Sequence, residues 1–317
     1  MKALVTGGNG FIGSFLAERL LQKGHAVRCL VRSTSNLRWI KNLPVDFFYA
    51  DLGEPGLLQE AVKEMDWVFH LAGLTKAKSE SEFFRVNVDG TKNLLVASQN
   101  SLSLKKFIFI SSQAAGGPSA SAALKTEFDE SNPISIYGKS KRAAEQAVLE
   151  FGRKFPVTII RPPSVYGPRE AEIFKIFKII NSGILPVIGG GAHKISVVHV
   201  FDLIKGILLA AENSAADGKI FYISGDGAYS WYEIEMLIAS ALRRRVIPLA
   251  IPFFILEIIR WLKINPMLNK DKIAEIRQKY WLCDNRRAKQ EMGFTPEISL
   301  AQGLHETAEW YKNEGWL

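Results

Sequence analysis

The sequence predicts a doubly wound α/β fold: a parallel sheet with helices on both faces, followed by a smaller mixed C-terminal lobe. Three observations predict it. Short apolar runs alternate with helix-patterned stretches throughout the first half of the chain, the rhythm of βαβ units. Several of these runs, such as "DWVFHLA" and "KKFIFISS", are nearly continuous in β-branched and aromatic residues, as parallel strands covered on both faces require. A glycine-spaced turn, "VTGGNGFIGS", stands at the first strand-to-helix junction, the position that a Rossmann sheet uses to hold a dinucleotide.

The elements follow in order. Residues 2–6, "KALVT", predict a strand, and 11–24, "FIGSFLAERLLQKG", a helix closed by Gly24. Strands are predicted over 26–32 and 45–51, and a helix over 54–65 with proline near its first turn. A strand over 66–72, a long helix over 81–100 and a strand over 105–112 come next. Residues 113–134 are small, polar and rich in Pro, Gly and Ser, and predict a long loop; loops of that length in compact domains are usually functional or mobile. Residues 137–154 predict a helix and 157–163 a strand. Beyond about residue 165 helical segments dominate, with short strands over 194–199 and 218–224. The expected division is a dinucleotide-binding domain over 1–165 and a substrate lobe over 166–317, with some later segments returning to the first sheet.

Composition narrows the function. The chain has 317 residues, 47% hydrophobic and 23% charged, with a net charge of +8. The basic surplus is dispersed, and its densest clusters, Arg243–Arg245 and the run around Arg286, lack interleaved aromatic residues; nucleic-acid binding is therefore not expected. Cys29 and Cys283 are too few for a disulfide framework or a metal site, and the five histidines form no HxxxH or HxH pair. The N-terminus runs straight into a strand pattern without a secretory leader, so a cytoplasmic protein with reduced cysteines is expected. Residues 246–264 are very apolar, but Pro248, Pro252, Glu257 and Arg260 interrupt them. They predict a strand or loop and then a buried or surface-docking helix, with peripheral membrane contact possible and no transmembrane span.

Gly7, Gly10 and Gly13 form the GxxGxxG pattern of the first turn. Glycines there allow a tight turn and close backbone approach, and the helix N-terminus beyond it attracts a pyrophosphate. The second strand ends in Arg32, with no Asp or Glu beside it. An acidic residue there would hold the ribose hydroxyls of NAD, whereas arginine suits the 2′-phosphate of NADP. NADP(H) is therefore favoured over NAD(H). Asp51 and Leu52, ending the third strand, are placed to contact adenine, although Asp51 can instead cap the following helix.

Tyr137 is the only one of eight tyrosines followed four residues later by lysine, Lys141. Together with "TGGNGFIG", "FHLAG", "NVDGT", "ISS", "RPPSVYGP", "VVHVFDL" and "DNRRAKQEMGFTP", the stretch "YGKSK" closely resembles the extended short-chain dehydrogenase/reductase superfamily. The motifs stand in that family's order and cover nearly the whole chain. The resemblance implies that Tyr137 is the general acid/base, that Lys141 supports it and hydrogen-bonds the nicotinamide ribose, and that Ser112 holds the substrate oxygen, with Ser111 as the alternative by one register. It implies a supporting role for Asn87. Cofactor contacts are implied for Gly7, Gly10, Phe11, Ile12, Gly13, Arg32, Asp51, Leu52, Leu71, Ala72, Gly73, Tyr137, Lys141 and Pro163, substrate contacts for Gln113, Tyr166 and His193, and a homodimer through the helices over 81–100 and 137–154.

Within that family the residues favour one reaction. Dehydration needs acidic groups just after the strand-end hydroxyl, but Gln113, Ala114 and Ala115 follow Ser112. Nucleotide-sugar epimerases place an arginine before the "VHV" stretch, and Ile195 occupies that place; Lys194 or His193 compensates less well for bidentate phosphate contact. "LVR" and the apolar segment 246–264 resemble the 3β-hydroxysteroid dehydrogenase-like and dihydroflavonol reductase-like branch. The expectation is hydride transfer between a nicotinamide and an alcohol or ketone on an apolar small molecule. A nucleotide-sugar epimerase is the alternative, and a non-enzymatic NAD(P) sensor, which would lack the Tyr–Lys pair, the third.

Overall fold

In a computed structural model of the chain, residues 1–262 and 270–317 are described. The first part comprises β1 (Lys2–Thr6), α1 (Phe11–Gln22), β2 (Ala26–Val31), β3 (Asp46–Tyr49), α2 (Pro55–Val62), β4 (Trp67–His70), α3 (Glu80–Phe84), α4 (Gly90–Gln99), β5 (Lys106–Ile110), α5 (Gln113–Gly116), α6 (Ile136–Phe151) and β6 (Val157–Arg161). There follow β7 (Ser164–Tyr166), α7 (Ala171–Asn181), β8 (Ile184–Ile188), β9 (Lys194–Ile195), β10 (Val197–His199), α8 (Val200–Glu212), β11 (Lys219–Tyr222), β12 (Tyr229–Ser230), α9 (Trp231–Leu242), β13 (Ile247–Ile251), α10 (Phe253–Trp261), α11 (Lys270–Ile276), β14 (Tyr280–Trp281), α12 (Arg286–Met292) and α13 (Leu300–Asn313).

The main sheet has seven parallel strands in the order β3-β2-β1-β4-β5-β6-β11. The doubly wound Rossmann arrangement is the predicted one, and β11 is a late segment that returns to the first sheet. Both faces are covered because side chains alternate along each strand. Ala3 and Val5 pack with Leu16 and Leu20 of α1 and Leu203 and Ile207 of α8. Leu4 points the other way and packs with Leu58 of α2, Leu94 of α4 and Val148 of α6. A third core joins Phe177 of α7, Ile238 of α9 and Leu304 and Tyr311 of α13 in the C-terminal lobe.

Three local expectations are corrected and a fourth is narrowed to one of its alternatives. The helix over 81–100 is not continuous: Ser79 caps it by accepting from Glu82 N at 3.2 Å, and a π-helical turn over Arg85–Asp89 interrupts it. The segment 113–134 is not all loop. The Ser112 hydroxyl accepts from Ala114 N and starts the one-turn helix α5, and Lys125 bridges the backbone of Cys283. The strand over 194–199 is two strands in different small sheets, because the buried Ser196 between them bonds the Cys283 backbone N at 3.1 Å. The segment 246–264 forms β13 and then α10, whose only buried residue is Leu256, so this is a surface helix rather than a buried one; its last two residues lie outside the described residues. Both cysteines are free and buried.

One ion pair joins the parts around the cleft. Glu145 of α6 is fully buried and accepts from Arg161 Nε at 2.8 Å and Arg161 Nη2 at 2.7 Å. Ser111, just past β5, donates to the same carboxylate at 2.6 Å. Arg161 Nη1 reaches the Tyr222 hydroxyl of β11 at 3.2 Å, and Nη2 reaches Ser131 Oγ at 3.1 Å. Removing one partner of a buried pair strands the other charge, at a cost of about 3–5 kcal/mol. Glu145→Ala is therefore expected to lower the urea midpoint by that much stability at an unchanged m value; an unaltered midpoint would show that the pair does not hold the fold.

Candidate active site

The site lies at the carboxyl ends of β1, β4 and β5, where a doubly wound sheet opens its crevice. The first wall is the glycine turn between β1 and α1. Gly7 has φ of +69°, and a Cβ there would lie 2.9 Å from Ala72 N. A Cβ on Gly13 would lie 2.2 Å from Gly7 O. The turn is thus closed to side chains at both positions, and backbone packs against backbone. Gly10 stands at the N-cap of α1 without any side-chain cap, so the first amides of this helix are left for an outside acceptor.

The turn is braced from below. Thr6 Oγ1 accepts from Ala72 N at 3.1 Å and meets His70 Nδ1 at 2.7 Å. Thr91 Oγ1 meets His70 Nε2 at 2.9 Å and donates to Asn87 O at 2.7 Å. Those partners assign the proton to Nε2. Burial, with Lys141 nearby, lowers the His70 pKa to about 3, so the imidazole is a neutral strut.

The second wall carries the reactive side chains. Ser135 caps α6 by accepting from Gly138 N at 3.1 Å, which fixes the start of the helix. Tyr137 and Lys141 lie one turn apart on it, with Cβ atoms about 5–6 Å apart. Ser112 lies near enough to the Tyr137 hydroxyl to lower its pKa, whereas Ser111 is buried and bound to Glu145. Ser112 is therefore the serine that faces the tyrosine. Burial raises the Tyr137 pKa to about 12; Ser112 works the other way, and Glu275 of α11 adds to the rise. Lys141 is buried, donates to Ile110 O at 2.7 Å and stands 4.2 Å over the Phe109 ring. Burial lowers its pKa to about 7, against the opposing pull of Glu145.

Asn87 stands in the π-helical turn, a device frequent at functional sites. Its side chain accepts from Leu74 N at 2.7 Å and donates to Leu74 O and Ser140 Oγ, each at 3.0 Å. Ser140 in turn donates to Tyr137 O at 2.8 Å. Asn87 thus ties the strand-end loop to the tyrosine helix. Gln113 is buried, and its Nε2 has no partner among the described residues.

The remaining predicted residues fall into three groups. Phe11 and Ile12 open α1, Leu71, Ala72 and Gly73 follow β4, and Pro163 is buried just beyond β6. Arg32 is exposed past the end of β2, with no ion pair on its guanidinium among the described residues. Asp51 Oδ1 accepts from Gly53 N at 2.9 Å, and Leu52 is buried against Gly90. Tyr166 is buried in the lobe against His199, and His193 packs edge-on to Phe253, so neither is brought to the tyrosine by any contact seen here.

The profile of the NAD dependent epimerase/dehydratase family matches residues 3–224. The chain belongs to that family. It is 28% identical to a ceramide reductase of Caulobacter vibrioides, over 99% of this chain and 95% of that protein. It is 30% identical to the 4-hydroxy-2-methyl-3-oxo-4-farnesyl-3,4-dihydroquinoline-1-oxide ketoreductase of Stigmatella aurantiaca, over 72% of this chain and 69% of that one. Among solved structures, the UDP-glucose 4-epimerase of Thermotoga maritima, with UDP-glucose, superposes with a TM-score of 0.85 at 25% identity, covering 99% of each chain. The chain is accordingly an enzyme of NAD(P)-dependent oxidoreductase chemistry. The residues fit such a cofactor: the cradle at Gly7 and Gly13 excludes any Cβ, and the uncapped α1 N-terminus offers amides to a pyrophosphate. No helix among the described residues is long and apolar enough to cross a membrane.

Sequence reasoning missed α11. Asp271 Oδ2 accepts from Ile136 N at 2.7 Å, and the charge of Glu275 raises the Tyr137 pKa. Nothing in the sequence marks these residues, because their partners are more than 130 positions away. Glu145 was legible in principle, since it follows Lys141 by one helical turn on α6.

The lysine gives a pH test. Folded Lys141 releases its proton near 7, against 10.5 for an ordinary lysine. The unfolded chain binds more protons between those values, so this group makes stability rise with pH across that window. Lys141→Met is expected to raise the cofactor-free Tm most at pH 6, with the gain gone by pH 10. An equal gain at both values in thermal melts would show that no buried ammonium is being relieved.

Proposed function

We propose that the enzyme is an NADP(H)-dependent reductase or dehydrogenase that interconverts a ketone and an alcohol on an apolar small molecule. The observation that carries this reading is the place of Ser112 beside Tyr137, near enough to lower the phenol's pKa, with the buried, uncharged Gln113, Ala114 and Ala115 following Ser112. Elimination of water needs a carboxylic acid where Gln113 stands. Hydride transfer coupled to one proton needs only what is present.

The bound nicotinamide dinucleotide supplies or accepts the hydride. The protein moves the proton. Ser112 holds the substrate oxygen beside the Tyr137 hydroxyl. In reduction that hydroxyl gives its proton to the oxygen as the C–H bond forms; in oxidation the phenolate takes it back. The high pKa of Tyr137 keeps the phenol protonated at neutral pH, which suits the reductive direction. A charged Lys141 one turn away lowers the cost of the phenolate. Gln113 Nε2, buried and unpartnered among the described residues, supports a second contact to a polar group of the substrate.

The cofactor preference rests on Arg32, exposed with no ion pair on its guanidinium among the described residues where a 2′-phosphate would lie. An apolar substrate is supported by the names of the relatives, which reduce a ceramide and a farnesylated quinoline oxide. The likeness to a UDP-glucose epimerase structure favours the second reading, a nucleotide-sugar epimerase. Against it, Ile195 is buried where that reading wants an arginine.

Two measurements test the proposal. With NADPH and a panel of long-chain and polycyclic ketones, the enzyme is expected to turn over at least one, and Tyr137→Phe to lower kcat by about 10²–10⁴-fold while cofactor fluorescence still titrates. Turnover or thermal stabilisation by UDP- or dTDP-sugars alone would replace this reading with the epimerase. Arg32→Ala is expected to weaken NADPH at least about tenfold, a lost charge-assisted contact, and to leave NADH nearly unchanged; equal loss of both would overturn the NADP(H) preference.

A further inference from the structure

The C-terminal lobe exposes an apolar face that its own fold does not cover. On α10 the exposed residues include Phe254 at 63%, Ile258 at 47% and Trp261 at 76%. Their spacing of four and then three residues places them on one stripe of the helix, and Leu262, also exposed, extends it. Only Leu256 of this helix is buried. Pro252 joins the helix to β13, whose Ile247 and Leu249 are exposed and alternate onto one face of that strand. Isolated exposed apolar residues need no explanation, but a helix whose outer stripe is Phe, Ile and Trp does.

The charge around this face is one-sided. Among the described residues, eight basic and three acidic lie between 243 and 279, a surplus of five within a chain whose net charge is +8. All three acids are engaged at home: Glu257 pairs with Arg260 and Arg277, Glu275 pairs with Lys272, and Asp271 accepts from Ile136 N. Arg243, Arg244 and Arg245 are exposed just before β13. An apolar helical stripe with a terminal tryptophan and a basic surround matches the interface of a bilayer that carries anionic headgroups.

The face also stands next to the chemistry. Glu257 of α10 is bound to Arg277, one residue past α11, at 3.0 Å. From α11, Asp271 bonds the first residue of α6, the neighbour of Tyr137. One helix therefore separates the exposed stripe from the acid/base.

We propose that α10 and β13 dock the enzyme peripherally on an anionic lipid surface, from which an amphiphilic substrate reaches Tyr137 past α11. The docking stands on the surface alone; the delivery of substrate rests on the reductase reading above.

Full-length protein is tested by co-sedimentation with phosphatidylcholine vesicles and with mixed phosphatidylcholine–phosphatidylglycerol vesicles. Binding is expected to the mixed vesicles, to weaken with added salt, and to be much lower on phosphatidylcholine alone. The variant carrying Phe254→Ser, Ile258→Ser and Trp261→Ser is expected to bind at least about tenfold more weakly, three large apolar side chains being lost from the contact. Circular dichroism is expected to be unchanged and turnover of a short water-soluble ketone to be retained. Absence of vesicle binding by the native chain, or equal binding by the variant, overturns the proposal. So does light scattering that shows a native dimer made monomeric by the three substitutions, since the face would then belong to a second copy. If vesicles bind but no apolar ketone is turned over, the docking stands and the reaction assignment fails.

Discussion

Glu145 and Arg161 are both closed off from solvent, and each is satisfied chiefly by the other. A carboxylate and a guanidinium taken out of water carry a desolvation cost that only close, bidentate geometry and further hydrogen bonds offset. That requirement organises the cleft. Ser111 must end β5 within reach of the carboxylate, which leaves the next residue, Ser112, turned toward the tyrosine. Tyr222 must bring β11 alongside β6, and Ser131 must fold the segment before α6 over the guanidinium. The pair thus couples the edge of the main sheet to the helix that carries Tyr137 and Lys141.

The cleft is built from groups whose ordinary ionisation is opposed by their surroundings. Burial holds Tyr137 protonated, weakens the charge of Lys141 and keeps His70 neutral. Lys141 and His70 have specific hydrogen-bond partners in place of water. Together they make a site that is close to electrically quiet before ligands arrive and sensitive to any charge placed in it. This is the setting in which a bound cationic ring or an added carbonyl oxygen changes the phenol's proton affinity most, because the local dielectric screens least.

The two parts of the molecule differ in how they are held. The cofactor side is backbone against backbone, at Gly7, Gly13 and Ala72, and admits little variation. The C-terminal part is a lobe of short strands and helices, joined to the segments around the main sheet through Asp271 on Ile136 and Lys125 on Cys283. Its outer layer, β13 and α10, shares little core with the rest.

Much of this was readable from the sequence. The parallel strands were legible because residues buried on both faces must be apolar without interruption, as in Phe107–Ile110. The glycine turn and the Tyr137–Lys141 pair were legible because their geometry is local, a tight turn and one turn of helix. The sequence by itself therefore determined the fold class, the glycine turn and the one-turn spacing of Tyr137 and Lys141. Only the tertiary structure decided that Glu145 holds Ser111 and Arg161, that α11 bonds the start of α6, that 194–199 divides between two sheets, and that α10 turns its apolar stripe outward. Those outcomes depend on partners far apart in the chain and on which face of a helix finds a neighbour, and neither is encoded in local pattern.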